Sequence, residues 1–269
     1  MVVAGSHKYV SLARASLEVI LTYRLSFLMN VIGTVFYVIA MFYLWRTIFG
    51  GNSAALGGFT WLEMKGYLLV AFLMNSLLTW YDEFMIGRGI REGEVASDLV
   101  RPLDFQTSRF AQAVGPVPTE LATALLVAMA VAFAFGGVAL PPDPVYAAVF
   151  VVSAALATLI KFGLIFCVAM GAFWTTGLYG LTTGRIAVQG VFSGALIPLA
   201  FFPDWLRAIS AVLPFQGTVS TPALIYLGKV DGTAMLAMVA VQAAWAVGLI
   251  VLGRLIFRRA VRAVTIHGG

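Results

Sequence analysis

The sequence predicts an all-α integral membrane protein with six transmembrane helices, and three observations carry that prediction. Hydrophobic residues make up 61% of the 269 residues and charged residues only 11%, against about 25% charged in soluble domains. Six apolar stretches between Leu25 and Phe257 are each long enough to cross a bilayer as a helix, which needs roughly 20 residues. Basic residues collect in alternate connections, so that one face of the membrane is positive. Around the six spans the sequence places an N-terminal interfacial helix, a short charged helix between the second and third spans, and a re-entrant helical hairpin before the sixth.

The elements follow in order within a single transmembrane domain, 1–269. In 1–24, Ser11, Arg14, Glu18 and Thr22 recur at helical spacing while Val10, Ala13, Leu17 and Ile20 fill another face. This pattern fits a helix lying along the interface with its apolar side in the lipid boundary, or an extension of the first span. The charges at Arg14, Glu18 and Arg24 interrupt the first apolar run, unlike a cleavable signal peptide. The spans are expected at Leu25–Phe49, Gly66–Met85, Phe110–Phe135, Val145–Met170, Ile186–Phe202 and Thr233–Phe257, dividing the chain into 25–86, 87–108, 110–202, 203–232, 233–257 and 258–269. Lys8, Arg14, Arg24, Arg88, Arg91, Arg101, Arg109 and Arg185 fall on one side with Arg254, Arg258, Arg259 and Arg262, whereas Arg46, Lys65, Arg207 and Lys229 fall on the other. The positive-inside rule therefore puts both termini in the cytoplasm of a cell with this protein in its inner or plasma membrane. The net charge of +5 is explained by orientation and needs no nucleic-acid partner.

Two connections stand out. Gly87–Ser108 carries glycines around a short helical pattern, mixed charges, and Pro102 to end it. Val95, Leu99 and Leu103 form a potential apolar ridge beside Glu94, Asp98 and Arg101. Such a surface suits a soluble partner, in which charge sets register and apolar anchors supply affinity; an ordinary solvated loop is the other reading. On the opposite side, the stretch from Pro198 to Gly232 contains Pro203, Pro214 and Pro222 yet keeps Trp205, Leu206, Ile209, Leu213 and Phe215. Its apolar character fits short helices dipping into the outer leaflet, a lid or exit path, or a seventh, poorly formed span.

Catalytic chemistry is not evident. Gly228-Lys229 lacks the upstream glycine and following Ser/Thr of a phosphate-binding loop. His7 and His267 are the two histidines and lie near the ends, and the single Cys167 sits in an apolar run as a packing residue. No metal site or nucleophile motif is expected, and the chain is not expected to be an enzyme. Asp82 and Glu83 fall near the inner end of the second span, within reach of Arg88 or of water. Glu120 and Lys161 lie at similar depths in the third and fourth spans. They are read first as a structural ion pair, with substrate or proton contact and snorkelling as the alternatives. Gly163, Ala169, Gly171, Gly190, Gly194 and Ala195 permit close helix approach.

Two motifs bring in a resemblance. Arg91-Glu92-Gly93-Glu94-Val95, leading to Asp98-Leu99-Val100-Arg101-Pro102-Leu103, resembles the coupling segment of ABC exporter permeases of the type-2 class, especially the viologen-exporter or daunorubicin-like branch. Ser193-Gly194-Ala195-Leu196-Ile197-Pro198-Leu199, then Phe202-Pro203-Asp204-Trp205-Leu206 and Leu213-Pro214-Phe215, looks like that class's fifth span and outer hairpin. The resemblance implies that ATP and magnesium are bound on separate cytoplasmic ATPase subunits and that a second permease chain, identical or similar, completes the path. It also implies that Arg91, Gly93, Glu94, Asp98, Leu99, Arg101 and Pro102 form the ATPase-coupling segment. Pro203, Trp205, Pro214 and Phe215 would shape the outer gate. The expected function is ATP-driven export of an amphipathic drug, natural product or lipid-like substrate. A carrier driven by an ion gradient and a membrane scaffold that recruits a cytoplasmic partner are the rival classes.

Overall fold

The computed structural model describes residues 3–22, 24–50, 55–79, 81, 83–95, 98, 103–175 and 177–263. Their regular structure is helical apart from one isolated bridge between Leu56 and Phe59. Helix α1 (Val3–Thr22) is followed by α2 (Arg24–Phe49), α3 (Trp61–Ser76) and α4 (Glu83–Arg91). Next come α5 (Phe105–Val114), α6 (Val117–Ala134) and α7 (Pro144–Ala169), the last tightening into a 3-10 turn over Met170–Phe173. Helices α8 (Tyr179–Phe192), α9 (Asp204–Val212), α10 (Ser220–Tyr226) and α11 (Gly232–Ala263) complete the chain.

Local sequence accounts for the helix starts. Thr60 and Glu63 form a reciprocal capping box at α3. Asp104 accepts from the Thr107 amide at 2.8 Å to open α5. Asp143 accepts from the amides of Val145 and Tyr146 at α7, with Pro144 in the first turn, where its missing N–H costs nothing.

Among the described residues, four helical segments are long and apolar enough to cross a membrane: Leu25–Phe49, Phe105–Ala134, Pro144–Phe173 and Gly232–Arg262. The other two expected spans are met by shorter helices. Helix α3 has 16 residues and rises about 24 Å, short of the roughly 30 Å hydrocarbon layer. Instead of continuing to Met85, it stops at Leu77–Thr79. Helix α8 has 14 residues, begins before Ile186 and ends well short of Phe202. It ends at Ser193–Gly194, where Gly194 has φ +80° and a Cβ would lie 2.6 Å from the Tyr67 hydroxyl. Tyr67 Oη in turn donates to Gly194 O at 2.8 Å. A residue with a side chain is excluded there on two counts.

Helix α7 is the centre of the bundle. Gly163 lets α11 approach so closely that a Cβ would sit 2.7 Å from Leu249 Cβ. Gln242 on α11 is buried; it donates to Ser153 O at 3.3 Å and Gly217 O at 2.7 Å, and accepts from the Ser153 hydroxyl at 2.8 Å. These bonds tie α7, α11 and the turn before α10 together with every amide group satisfied.

Helix α1 packs along α5, and Gly115 at the end of α5 leaves room for the Ala13 carbonyl. Its Tyr9 hydroxyl accepts from the Asp104 amide at 3.2 Å. From the other terminus, Arg254 of α11 donates to Gln106 Oε1 at 3.1 Å and stands 3.6 Å from Asp104. The N-terminal helix and the end of α11 therefore meet at the start of α5, at one basic end of the bundle.

At the opposite end Lys229 pairs with Glu63 at 2.5 Å and donates to Gly58 O at 2.9 Å. Burial alone would push the Glu63 carboxyl up, but Lys229 and the Thr60 donors outweigh it and hold the group below its ordinary value. Between these ends, α10 packs against α3 and α7, whereas α9 turns Trp205 outward at 65% exposure. Pro203 precedes α9, Pro214 opens the buried turn that follows it, and Phe215 is half-buried beside Ile160 and Leu249.

The tight α7–α11 contact makes a direct prediction. Gly163→Leu should lower stability by about 1–3 kcal/mol through overpacking, seen as a lower unfolding midpoint in detergent. Gly248→Ala, on the same helix as Leu249 but with open space around its Cα, should leave that midpoint unchanged.

Candidate functional site

The candidate site is built around the place where α3 stops. Leu77, Leu78 and Thr79 leave the helical path, and Leu78 takes φ +58°, a left-handed conformation that a bulky side chain rarely adopts. Two charged side chains from neighbouring helices supply the hydrogen bonds the backbone loses. Glu120, in the first turn of α6, accepts from the amides of Leu78 and Thr79, each at 2.8 Å. Lys161, about two thirds of the way along α7, donates to the carbonyls of Asn75, at 2.8 Å, and Leu77. An anion on free N–H groups and a cation on free C=O groups is the polarity that a helix end requires. The two residues read as a pair in the sequence thus converge on one backbone segment, and Lys161 lies within the electrostatic field of Glu120.

Beyond the break, α4 begins at Glu83, which is fully buried and forms an ion pair with Arg185 of α8. Arg185 also donates to Gln189 at 2.5 Å. Glu83 therefore meets Arg185, where the sequence had offered Arg88 or water; Asp82 lies outside the described residues. Arg185, counted in the sequence as an orientation charge, is neutralised inside the bundle instead. Two acids and two bases, Glu83, Glu120, Arg185 and Lys161, make a balanced group. Balance matters because a lone buried charge costs several kcal/mol even after relaxation.

A polar stripe was the available signal for Arg185. Thr182, Arg185 and Gln189 follow i, i+3 and i+7 spacing in an otherwise apolar helix, and Thr182 and Gln189 are buried.

Helix α4 links this charged break to the segment expected to couple. Gly87 allows it to lie against Leu178 and Ala172. After Arg91 the chain turns at Gly93, with φ +78°. Glu94 folds back over Gly89, where a Cβ would lie 2.7 Å from Glu94 Oε2. Arg91, Gly93 and Glu94 are exposed, while Val95 is turned into the core. Asp98 pairs with Arg109 of α5 at 2.5 Å, and the Arg109 guanidinium lies 4.8 Å from the centre of the Phe105 ring. Leu99, Arg101 and Pro102 lie outside the described residues. Helix α4 thus begins at the buried Glu83–Arg185 pair and ends at an exposed, charged turn.

A cavity of about 350 Å³ opens between α2, α3 and α6 beside the break. Phe27, Tyr37 and Phe72 form part of its wall, and Asn75, Ser76, Thr79, Glu120 and Thr123 bring polar atoms into it. The carboxylate that secures the break therefore also faces a space large enough for a small molecule. Among the described residues no cluster of His, Cys, Asp and Glu could hold a metal ion. The arrangement can bind and move; its chemistry is electrostatic and conformational.

Removing one member of the buried pair should be costly. Arg185→Met leaves Glu83 buried without its cation and should destabilise the protein by about 3–5 kcal/mol. Combining it with Glu83→Gln should recover most of that loss in denaturant unfolding of the purified chain.

A protein-family model described as ABC-2 family transporter protein matches residues 35–268. No curated protein and no solved structure matches the chain.

Proposed function

We propose that this chain, which belongs to the ABC-2 transporter family, is the permease subunit of an ATP-driven exporter. Family membership makes it a multi-pass membrane component that works with an ABC ATPase. Within the family we place it on the viologen-exporter or daunorubicin-like side, on the strength of the Arg91–Leu103 motif. Six crossings are our reading of the topology. Four are the long apolar helices; α3 and α8 are the other two, each continued across the membrane by the irregular segment at its end. The basic end, where α1 and the end of α11 meet, faces the cytoplasm.

The observation that carries the function is α4 itself, a lever that runs from the buried Glu83–Arg185 pair to the exposed turn at Arg91–Glu94. A soluble ATPase gripping that turn would move α4 as one body and load the break held by Glu120 and Lys161. Two such permease chains, identical or similar, would rock against each other as nucleotide closes the ATPases. An amphipathic drug, natural product or lipid-like molecule would leave past α9 and α10. ATP and magnesium stay on the partner. The charged turn would set the docking register and the neighbouring apolar residues would anchor it.

Charge reversal tests the coupling. Glu94→Lys with Asp98→Lys, combined with Arg109→Glu to keep opposite charges at that internal pair, should cut export and cargo-stimulated ATP hydrolysis at least ten-fold while the chain stays folded. Normal transport with normal ATPase association would refute the assignment. Orientation has its own measurement. In a Cys167→Ser background, Glu92→Cys, at an exposed position of the same turn, should react with a membrane-impermeant thiol reagent only after the cytoplasmic face is opened. Labelling of intact cells from outside would overturn the docking site.

A further inference from the structure

We propose that the cavity between α2, α3 and α6 binds the neutral, hydroxyl-bearing head of a single-chain amphiphile, with the chain leaving toward the lipid. This deepens the permease reading, and rests on it, by naming the class of cargo.

The first ground is where the polar residues lie. Away from Arg46, Glu63 and Lys65 toward the opposite end, these three helices are largely apolar, and an ionisable residue such as Glu120 within the hydrocarbon layer marks a functional position. Helix α2 brings Asn30 and Thr34, the end of α3 brings Ser76 and Thr79, and α6 brings Glu120 and Thr123, all to one cavity. By residue count Asn30 and Thr34 lie about 9 and 15 Å along α2 from its first residue, which puts the site in the half of the membrane nearer the basic end.

The second ground is which hydrogen-bonding atoms remain available. Ser76 Oγ donates to Phe72 O at 2.8 Å, Thr79 Oγ1 to Ser76 O at 2.7 Å and Thr123 Oγ1 to Thr119 O at 2.7 Å. A hydroxyl has one proton, so these three present only lone pairs to a ligand. The amide of Asn30 and the hydroxyls of Thr34 and Tyr37 can both donate and accept. The cavity therefore asks for a ligand rich in donors that also accepts, as a sugar or other polyol does.

The third ground is charge. No lysine, arginine or histidine lines the cavity, so a phosphate, sulfate or carboxylate head would face lone pairs with no cation. A cationic head gains little, because Lys161 lies close enough to offset the Glu120 charge. Neutral donors match on both counts. Phe27, Tyr37 and Phe72 give the faces of a sugar ring, or the first carbons of a chain, an apolar surface. Gly33 leaves one side clear, since a Cβ at that position would have no atom within 4 Å.

The site also bears on the lever. A hydroxyl that donates to Glu120 competes with the Leu78 and Thr79 amides for the same oxygens, so an occupied cavity loosens the break from which α4 extends.

The test uses the full chain in lipid nanodiscs, without nucleotide or ATPase, so that its outcome is independent of coupling. Dodecyl glucoside, dodecyltrimethylammonium and dodecyl sulfate share a chain and differ in head. Calorimetric titration below their micelle thresholds should show saturable binding of the glucoside, at least ten-fold tighter than of the other two. Gly33→Trp fills the cavity and should abolish that binding. Thr123→Val removes one acceptor at nearly constant shape and should weaken it several-fold, with circular dichroism confirming the fold of both variants. Equal binding of the three heads, preference for either charged head, or glucoside binding that survives Gly33→Trp would overturn the proposal.

Discussion

A backbone that leaves the helix inside lipid has no water to turn to, and this protein depends on how that need is met at Leu77–Thr79. Each unsatisfied N–H or C=O in hydrocarbon costs several kcal/mol, more than the chain gains from most single contacts. Glu120 takes the free amides, and Lys161 takes the free carbonyls. The two cannot be exchanged, since a carboxylate accepts and an ammonium donates. Helices α3, α6 and α7 are thereby held in one register, and Leu78 is held at a backbone angle it would otherwise leave.

That arrangement brings charge into the bundle, and charge has to balance. Glu83 and Arg185 complete the group and attach α8 to the start of α4. The pair does not have to be a net source of stability to matter; a buried pair is expensive to break whatever it was worth to form. Its position fixes the start of α4 against α8.

Elsewhere the bundle is built to stay still. Gly163 against Leu249 and the fully bonded Gln242 lock α7 to α11, and α10 is buried against the same core. The balanced charges sit at the break, and the neutral, tightly packed contacts sit where α7 meets α11.

The amino-acid sequence by itself determined the solvent, the helical class, the four long spans and the basic end, because these follow from hydropathy, length and the placement of charge along the chain. It also marked Glu120 and Lys161 as notable, since isolated charges in apolar helices are visible without a structure. Only the tertiary structure decided that α3 ends at Ser76. Leu77-Leu78-Thr79 contains no glycine or proline, so nothing local forbids a continuous helix to Met85. The break exists because side chains 41 to 86 positions away in sequence offer its backbone better partners than lipid does. The Glu83–Arg185 pair was hidden for the same reason: which cation a carboxylate meets depends on which helices touch, and a linear sequence does not show that.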